Sequence, residues 1–299
     1  MKIKTLILIF LAYGLVFGSF YTYLKVSQLK EPLFLTHYYQ KEITESSADH
    51  ISIYYISNSG EDWRLVSAES KQFPSRMIFV EDESIHYQEG IYQQHEAILS
   101  IKGIEEDELL LEEMTFNFSN GKVVEADIGA IQLSSMESME SMQQVVKITG
   151  GGGSNQGESY SSLDVLRESR LTEIKLPYEG VLSPVIKLAV EASDTMAPEA
   201  MDIEDFKKGE TKESIDDIEL PLKLKSDERL SLNALVYKDD MYKNDIHAIE
   251  ADIVGTFKTD NKEIQQRLVR ISEQPYLTSK QIKELKKLRE VESKHGEGN

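Results

Sequence analysis

Cysteine is absent from all 299 residues. That excludes disulfides, thiolate metal ligands, thiol nucleophiles and a lipidated N-terminal cysteine. Histidine is scarce: His37, His50, His86, His95, His247 and His295 are the full set, with no His-x-His or His-x-x-x-His pair. No short-range metal motif is built from them, and no cofactor is expected. Positive charge is also in short supply. Lys and Arg number 33 against 52 Asp and Glu, a formal net charge of −19. Nucleic acid is therefore not an expected partner, because its binders carry a basic footprint that displaces phosphate counterions.

Nucleophile and phosphate motifs are missing as well. There is no Gly-x-Ser-x-Gly elbow. Gly150 to Gly153 form the most enzyme-like patch, but Gly157 is followed by Glu158 and Ser159, and no lysine comes before Lys175. A phosphate cradle needs that lysine and a helix after it. Ser161 to Ser169 has room for a helix, yet the surroundings read as antiparallel β. Ser119 and Lys122 have Ser-x-x-Lys spacing, but Asn120-Gly121 between them is a hairpin turn signal, since both residues accept positive φ. No catalytic residue is expected.

A long apolar run is present, once. Thr5 to Leu24 is a stretch of 20 uncharged residues with Lys2 and Lys4 before it and Lys25 and Lys30 after it. As a helix it rises about 30 Å, one bilayer core, with Tyr21 and Tyr23 in the interfacial belt. The expectation is a transmembrane signal anchor over 5–24, with residues 1–4 cytoplasmic and the bulk of the chain extracytoplasmic. The lipid bilayer is then a partner through 5–24. The alternative is secretion after signal cleavage near Gly18, where Val16 and Gly18 offer small side chains.

Beyond a juxtamembrane linker at 25–34, the pattern has period two. His50–Ile56, Arg76–Val80, Ala97–Gly103, Leu109–Phe118 and Lys122–Leu133 read as short strands separated by turn signals. The later chain echoes them. Ile98–Phe116 aligns with Pro221–Tyr237, and Val123–Ile131 with Ala248–Phe257, sharing Glu-Ala-Asp-Ile at 125–128 and 250–253. The expected fold is mainly β: two antiparallel β-sandwich-like domains in tandem, with short C-terminal helices. Domain 1 covers 35–133 and domain 2 covers 163–258. A Met/Ser- and Gly-rich linker fills 134–162, including Met136, Met139 and Met142.

Charge then divides the C-terminal half. The stretch 191–219 holds eleven acids against three lysines and reads as a solvated loop. Asp202, Glu204 and Asp205 inside it are a calcium candidate that lacks the alternating ligand pattern. Residues 259–299 read as a basic helical tail. Asp260 to Glu263 has capping-box form before Ile264, Leu268 and Ile271; Thr278 to Gln281 repeats the form before Ile282, Leu285 and Leu288. Lys283, Lys286, Lys287 and Arg289 on that tail are interaction candidates, as is Trp63, the only tryptophan. The function expected is a non-catalytic binding, scaffold or assembly module of a bacterial-type envelope, with a protein partner there. The alternatives are a hydrolase with a carboxylate pair between the domains and a ligand- or ion-sensing accessory domain.

Overall fold

The computed structural model describes residues 3–43, 49–72, 77–101, 108–135, 144–193, 218–260 and 262–296. The chain is mainly β, preceded by one apolar helix. Helix α1 spans Ile3–Ser27. The first strands are β1 (Leu33–Phe34), β2 (His37–Ile43), β3 (Asp49–Asn58), β4 (Leu65–Ser70), β5 (Met77–Glu89), β6 (Tyr92–Ile101), β7 (Glu108–Phe118) and β8 (Val123–Ser135). The next are β9 (Val146–Gly153), β10 (Glu158–Val165), β11 (Ser169–Lys175), β12 (Ile186–Ser193), β13 (Leu222–Leu224), β14 (Arg229–Val236), β15 (Ala248–Lys258) and β16 (Glu263–Glu273). Helices α2 (Glu179–Leu182) and α3 (Lys238–Lys243) are short, and α4 covers Ser279–Gly296.

The strands form because alternate side chains have somewhere apolar to go. In β7, Leu109 and Leu111 point inward; a bulge at Glu112 resets the alternation, and Met114, Phe116 and Phe118 then fill the same core. Asn120-Gly121 makes the expected hairpin to β8, with Gly121 at φ +77°.

The large sheet runs β1-β3-β6-β5-β4-β7-β8-β2-β15-β11-β13, with β16 on β15. Consecutive β1 and β2 lie at opposite ends of its first part, β1 on β3 and β2 on β8, so that part curls back on itself. The Leu35 N–H donates to the Tyr54 carbonyl and the Tyr54 N–H to His37 Nε2 (3.0 and 2.9 Å), stitching the return. This lobe has its own core, drawn from Leu29 to Leu133 together with Ala248, Leu277, Ile282 and Leu285. A second core extends from Val145 to Ile271. There the sheet β12-β14-β10-β9 packs against β16.

Strand β2 joins the two lobes. It pairs in parallel with β8 on one side and β15 on the other. Close approach at this seam requires glycine: Gly129 has φ +86°, and a Cβ there would lie 2.3 Å from the His37 carbonyl oxygen. The Tyr178 hydroxyl donates to the Tyr39 carbonyl across the seam, at 2.7 Å.

Several expectations are corrected. The helix expected over 264–271 is strand β16: a bulge near Leu268 places Leu268 and Val269 both inward, so a strand presents the i, i+4 stripe of a helix. Among the described residues of the linker expected at 134–162, 134–135, 146–153 and 158–162 are strand. β9 and β10 form a hairpin, so the second core begins before 163 and ends after 258. No helix forms at 161–169, which belongs mostly to β10. The glycine run is an outer strand, and the Tyr160 ring lies over Gly152, which fills the space its missing side chain leaves. The 25–34 linker is partly helix, since α1 continues to Ser27. The echoed segments pair differently: β7 and β8 form a hairpin, whereas β14 and β15 lie in separate sheets. Met136, Met139, Met142 and the calcium candidate Asp202, Glu204 and Asp205 lie outside the described residues.

Candidate functional site

The side chains gathered at the C-terminal end of α1 make the best-defined site. A helix leaves its last carbonyls without intrahelical donors. Here the carbonyls of Val26 and Ser27 find partners in α4 and the first lobe. The Tyr92 hydroxyl donates to the Ser27 carbonyl at 2.6 Å. Lys286 Nζ donates to the carbonyls of Val26 and Gln28, at 2.7 and 3.0 Å. A cation at this position also meets the negative end of the helix dipole. Asn58 then grips Leu29 with both ends of its amide: Nδ2 donates to the Leu29 carbonyl and Oδ1 accepts from its N–H, each at 2.8 Å. Lys283 donates to the Tyr23 hydroxyl and lies 4.7 Å from that ring's centre.

Helix α4 is held in place for this role. Thr278 and Gln281 form the expected capping box, with Thr278 N–H donating to Gln281 Oε1 at 2.8 Å and Gln281 N–H to Thr278 Oγ1 at 3.4 Å. Ile282 and Leu285 enter the first core. Gln94 reaches out of β6 to the Pro275 carbonyl and the Leu277 N–H, fixing the approach to the helix. Farther along, Arg289 donates to Asp245 Oδ2 and Thr36 Oγ1 at 2.8 and 3.0 Å, tying α4 to the seam. Three of the four basic candidates are therefore engaged within the chain: Lys286 and Arg289 face inward, and Lys283 lies at the surface on Tyr23. Lys287 is exposed, as is Leu288. Trp63, at 5% exposure, is a core residue rather than an exposed anchor; it meets Phe118 edge-on and donates from Nε1 to Glu61 at 2.8 Å.

A second cluster escaped sequence reasoning, because its members are far apart in the chain and meet only through strand pairing. Ser57 Oγ lies 2.9 Å from His95 Nε2, and His95 Nδ1 lies 3.2 Å from Glu83 Oε1. Glu83 also accepts from the Tyr55 hydroxyl at 2.6 Å and the Leu65 N–H at 2.7 Å. Burial raises the Glu83 carboxyl, but the bonds from His95, Tyr55 and Leu65 outweigh it and hold the group below its usual range. The order Ser–His–Glu is that of an acyl-transfer relay. Ser57, however, is 1% exposed, and the relay is closed over by the core that contains Tyr55 and Phe118. In this position it fixes the His95 ring and links β3, β4, β5 and β6.

The two histidines at the seam are buried. His37 is stacked with Tyr54, and its Nδ1 lies 3.2 Å from the Ile128 carbonyl. Desolvation lowers it to about 4, and desolvation followed by the Arg289 charge lowers His247 to about 3. An open groove on the second lobe carries Glu173, Glu179 and Asp252. Asp252 there is held by Arg270 at 2.8 Å, and Glu173 by Lys175 at 3.1 Å. Among the described residues no group of three or more His, Asp or Glu is arranged to hold a metal ion.

No family model matches the chain, and no curated protein matches it. Among solved structures, it is similar to a protein of unknown function from Porphyromonas gingivalis W83 at 9% identity and a TM-score of 0.23, covering 81% of this chain and 96% of that one.

Proposed function

We propose that the chain is a single-pass, membrane-anchored extracytoplasmic protein that serves as a non-catalytic binding or assembly module of a cell envelope. Helix α1 is the anchor, and the two lobes, read as tandem sandwich-like domains, are presented to a protein partner. The observation that carries the reading is the pairing of an unburied apolar helix with a clamp at its end. The segment Ile9–Ser27 has a mean hydropathy of 1.4 and none of its most apolar window buried, while its last carbonyls are bonded into the first lobe. Exposed apolar surface of that length has a natural solvent in lipid. A clamp at the junction suits a protein that must hold its lobes at a fixed angle to the membrane. The hydrolase alternative has weaker support, because Asp252 and Glu173 in the acidic groove are both paired with cations.

Fractionation of cells that make the chain tests the reading. The expected result is an intact protein that keeps its N-terminal residues, resists alkaline extraction from membranes, and loses both lobes to protease added from outside. Crosslinking before extraction should then capture an envelope protein. A soluble, partner-free chain beginning at Ser19 would overturn both the anchor and the assembly role.

A further inference from the structure

The lysines around the α1 exit are more numerous than the clamp requires. Lys286 is occupied by the carbonyls of Val26 and Gln28. Lys25 and Lys30 are exposed on the chain leaving α1, and Lys280 and Lys287 are exposed on α4. Lys283 sits on Tyr23, between the two groups. Helix α4 holds six Lys or Arg against three Glu, within a chain of net charge −19.

Position supplies the chemistry that these ammoniums meet. If the apolar span ends at Leu24, α1 continues to Ser27 for about 5 Å and Lys30 follows three residues later, within the depth of a headgroup layer. Lys25 and Lys30 bracket that depth, and the contact with Tyr23 brings the first turns of α4 to the same level. An acidic body is repelled by an anionic leaflet unless positive charge is concentrated where the two meet. Among the described residues five glutamates share this end of the molecule: Glu31, Glu61 on Asn58, Glu89, Glu284 at 3.9 Å from Lys280 and Glu290 at 3.8 Å from Lys286. With Lys286 counted, six lysines face them, and the charge facing outward is carried by Lys25, Lys30, Lys280 and Lys287.

We propose that Lys25, Lys30, Lys280, Lys283 and Lys287 form a collar that binds the phosphate headgroups of anionic lipid in the leaflet from which α1 emerges. The first lobe is thereby seated on the bilayer surface. This inference rests on the anchor reading above.

Amine acetylation, read lysine by lysine, tests it on the unmodified full chain. The protein is reconstituted into phosphatidylcholine vesicles with and without phosphatidylglycerol. Near an anionic surface each lysine gains about 1 kcal/mol, so collar labelling should slow roughly fivefold with phosphatidylglycerol and recover in high salt. Lys225 and Lys175, 74% and 50% exposed on the second lobe, serve as controls and should label alike in both lipids. Lys25→Gln with Lys280→Gln and Lys287→Gln should lessen the protection of Lys30 and Lys283. Flotation with the vesicles but equal collar labelling in both lipids would overturn the collar and leave the anchor standing. Failure to float with either vesicle would remove the anchor, and the collar with it.

Discussion

The two lobes are packed by different means. The first core stacks rings: Phe34 lies 3.8 Å from Phe116 centre to centre, and Tyr54, Tyr55, Trp63, Tyr92 and Phe118 are buried with them. It also encloses Ser57, Asn58, Gln94 and His95, each hydrogen-bonded. The second core is almost wholly Leu, Ile and Val, with Phe257 its one fully buried ring among the described residues. Aliphatic burial stabilises without direction. Hydrogen bonds and ring edges fix orientation. The lobe that holds α1 and α4 is the lobe built from directional contacts. Asn58, Tyr92 and Gln94 make this plain, since each leaves the first lobe to grip a neighbouring segment.

That contrast can be broken experimentally, and the single Trp63 makes it convenient. Tryptophan fluorescence follows the first lobe alone, while far-ultraviolet circular dichroism follows both. The largest effect is expected from alanine at two glycines with positive φ. At Gly129 and Gly157 a Cβ would lie 2.3 Å from the carbonyl oxygens of His37 and Val236. Each substitution should cost about 3 kcal/mol or more. Gly129→Ala acts at the seam and should lower both transitions. Gly157→Ala, in the β9–β10 turn, should lower the dichroism transition and spare the fluorescence one.

Acid should act next, again at the seam. His37 titrates at about 4 and His247 at about 3 in the fold, against about 6.5 when unfolded. The unfolded chain therefore takes up protons first. Their stabilising contribution is complete above about pH 6.5 and declines as pH falls toward 4 and then 3. His37 alone accounts for a loss of roughly 3 kcal/mol by pH 4. Urea melts across this range should show the decline, and His37→Gln should flatten its upper part.

Removal of the clamp should have a smaller, local effect. Asn58→Ala and Lys286→Ala should each cost about 1–2 kcal/mol, and should speed amide exchange near residues 24–30 without changing β12 or β14. The smallest effect is expected in the glycine run. A Cβ at Gly150 would lie 3.9 Å from that of Ser162, so Gly150→Ala should shift stability by no more than about 0.5 kcal/mol by either probe. A larger loss would mean that the flat strand β9 has a demand for glycine beyond the space around Gly150.

What the sequence made legible was local. The apolar helix, the Asn120-Gly121 hairpin and the Thr278–Gln281 cap depend on neighbours within a few residues, and all three are present. The helix expected at 264–271 failed for a physical reason, since a bulged strand and a helix share the spacing of Ile264 and Leu268. Strand β5 was partly hidden because Glu81, Asp82 and Glu83 look solvated, yet the β6 ladder holds Asp82 and Glu83, and Glu83 turns into a buried bond network. The Ser57–His95–Glu83 relay and the α1 clamp were illegible because they depend on pairing across 12 to 260 residues of chain. The basic tail was recognisable as such. That it folds back with Lys286 and Arg289 turned inward and Lys283 set on Tyr23 depended on a docking geometry that no local pattern encodes.

On the proposed reading, α1 leaves the first lobe as a fixed extension of it. A cysteine-free chain accepts two engineered cysteines without background. Phe17→Cys on α1 and Val123→Cys on β8, both at exposed positions, would carry nitroxide labels in the full chain reconstituted into lipid. Pulsed electron resonance should then give one narrow distance distribution, which Asn58→Ala together with Lys286→Ala should broaden. A broad distribution in the otherwise unaltered chain would show a helix swinging on a loose tether, and would contradict the account.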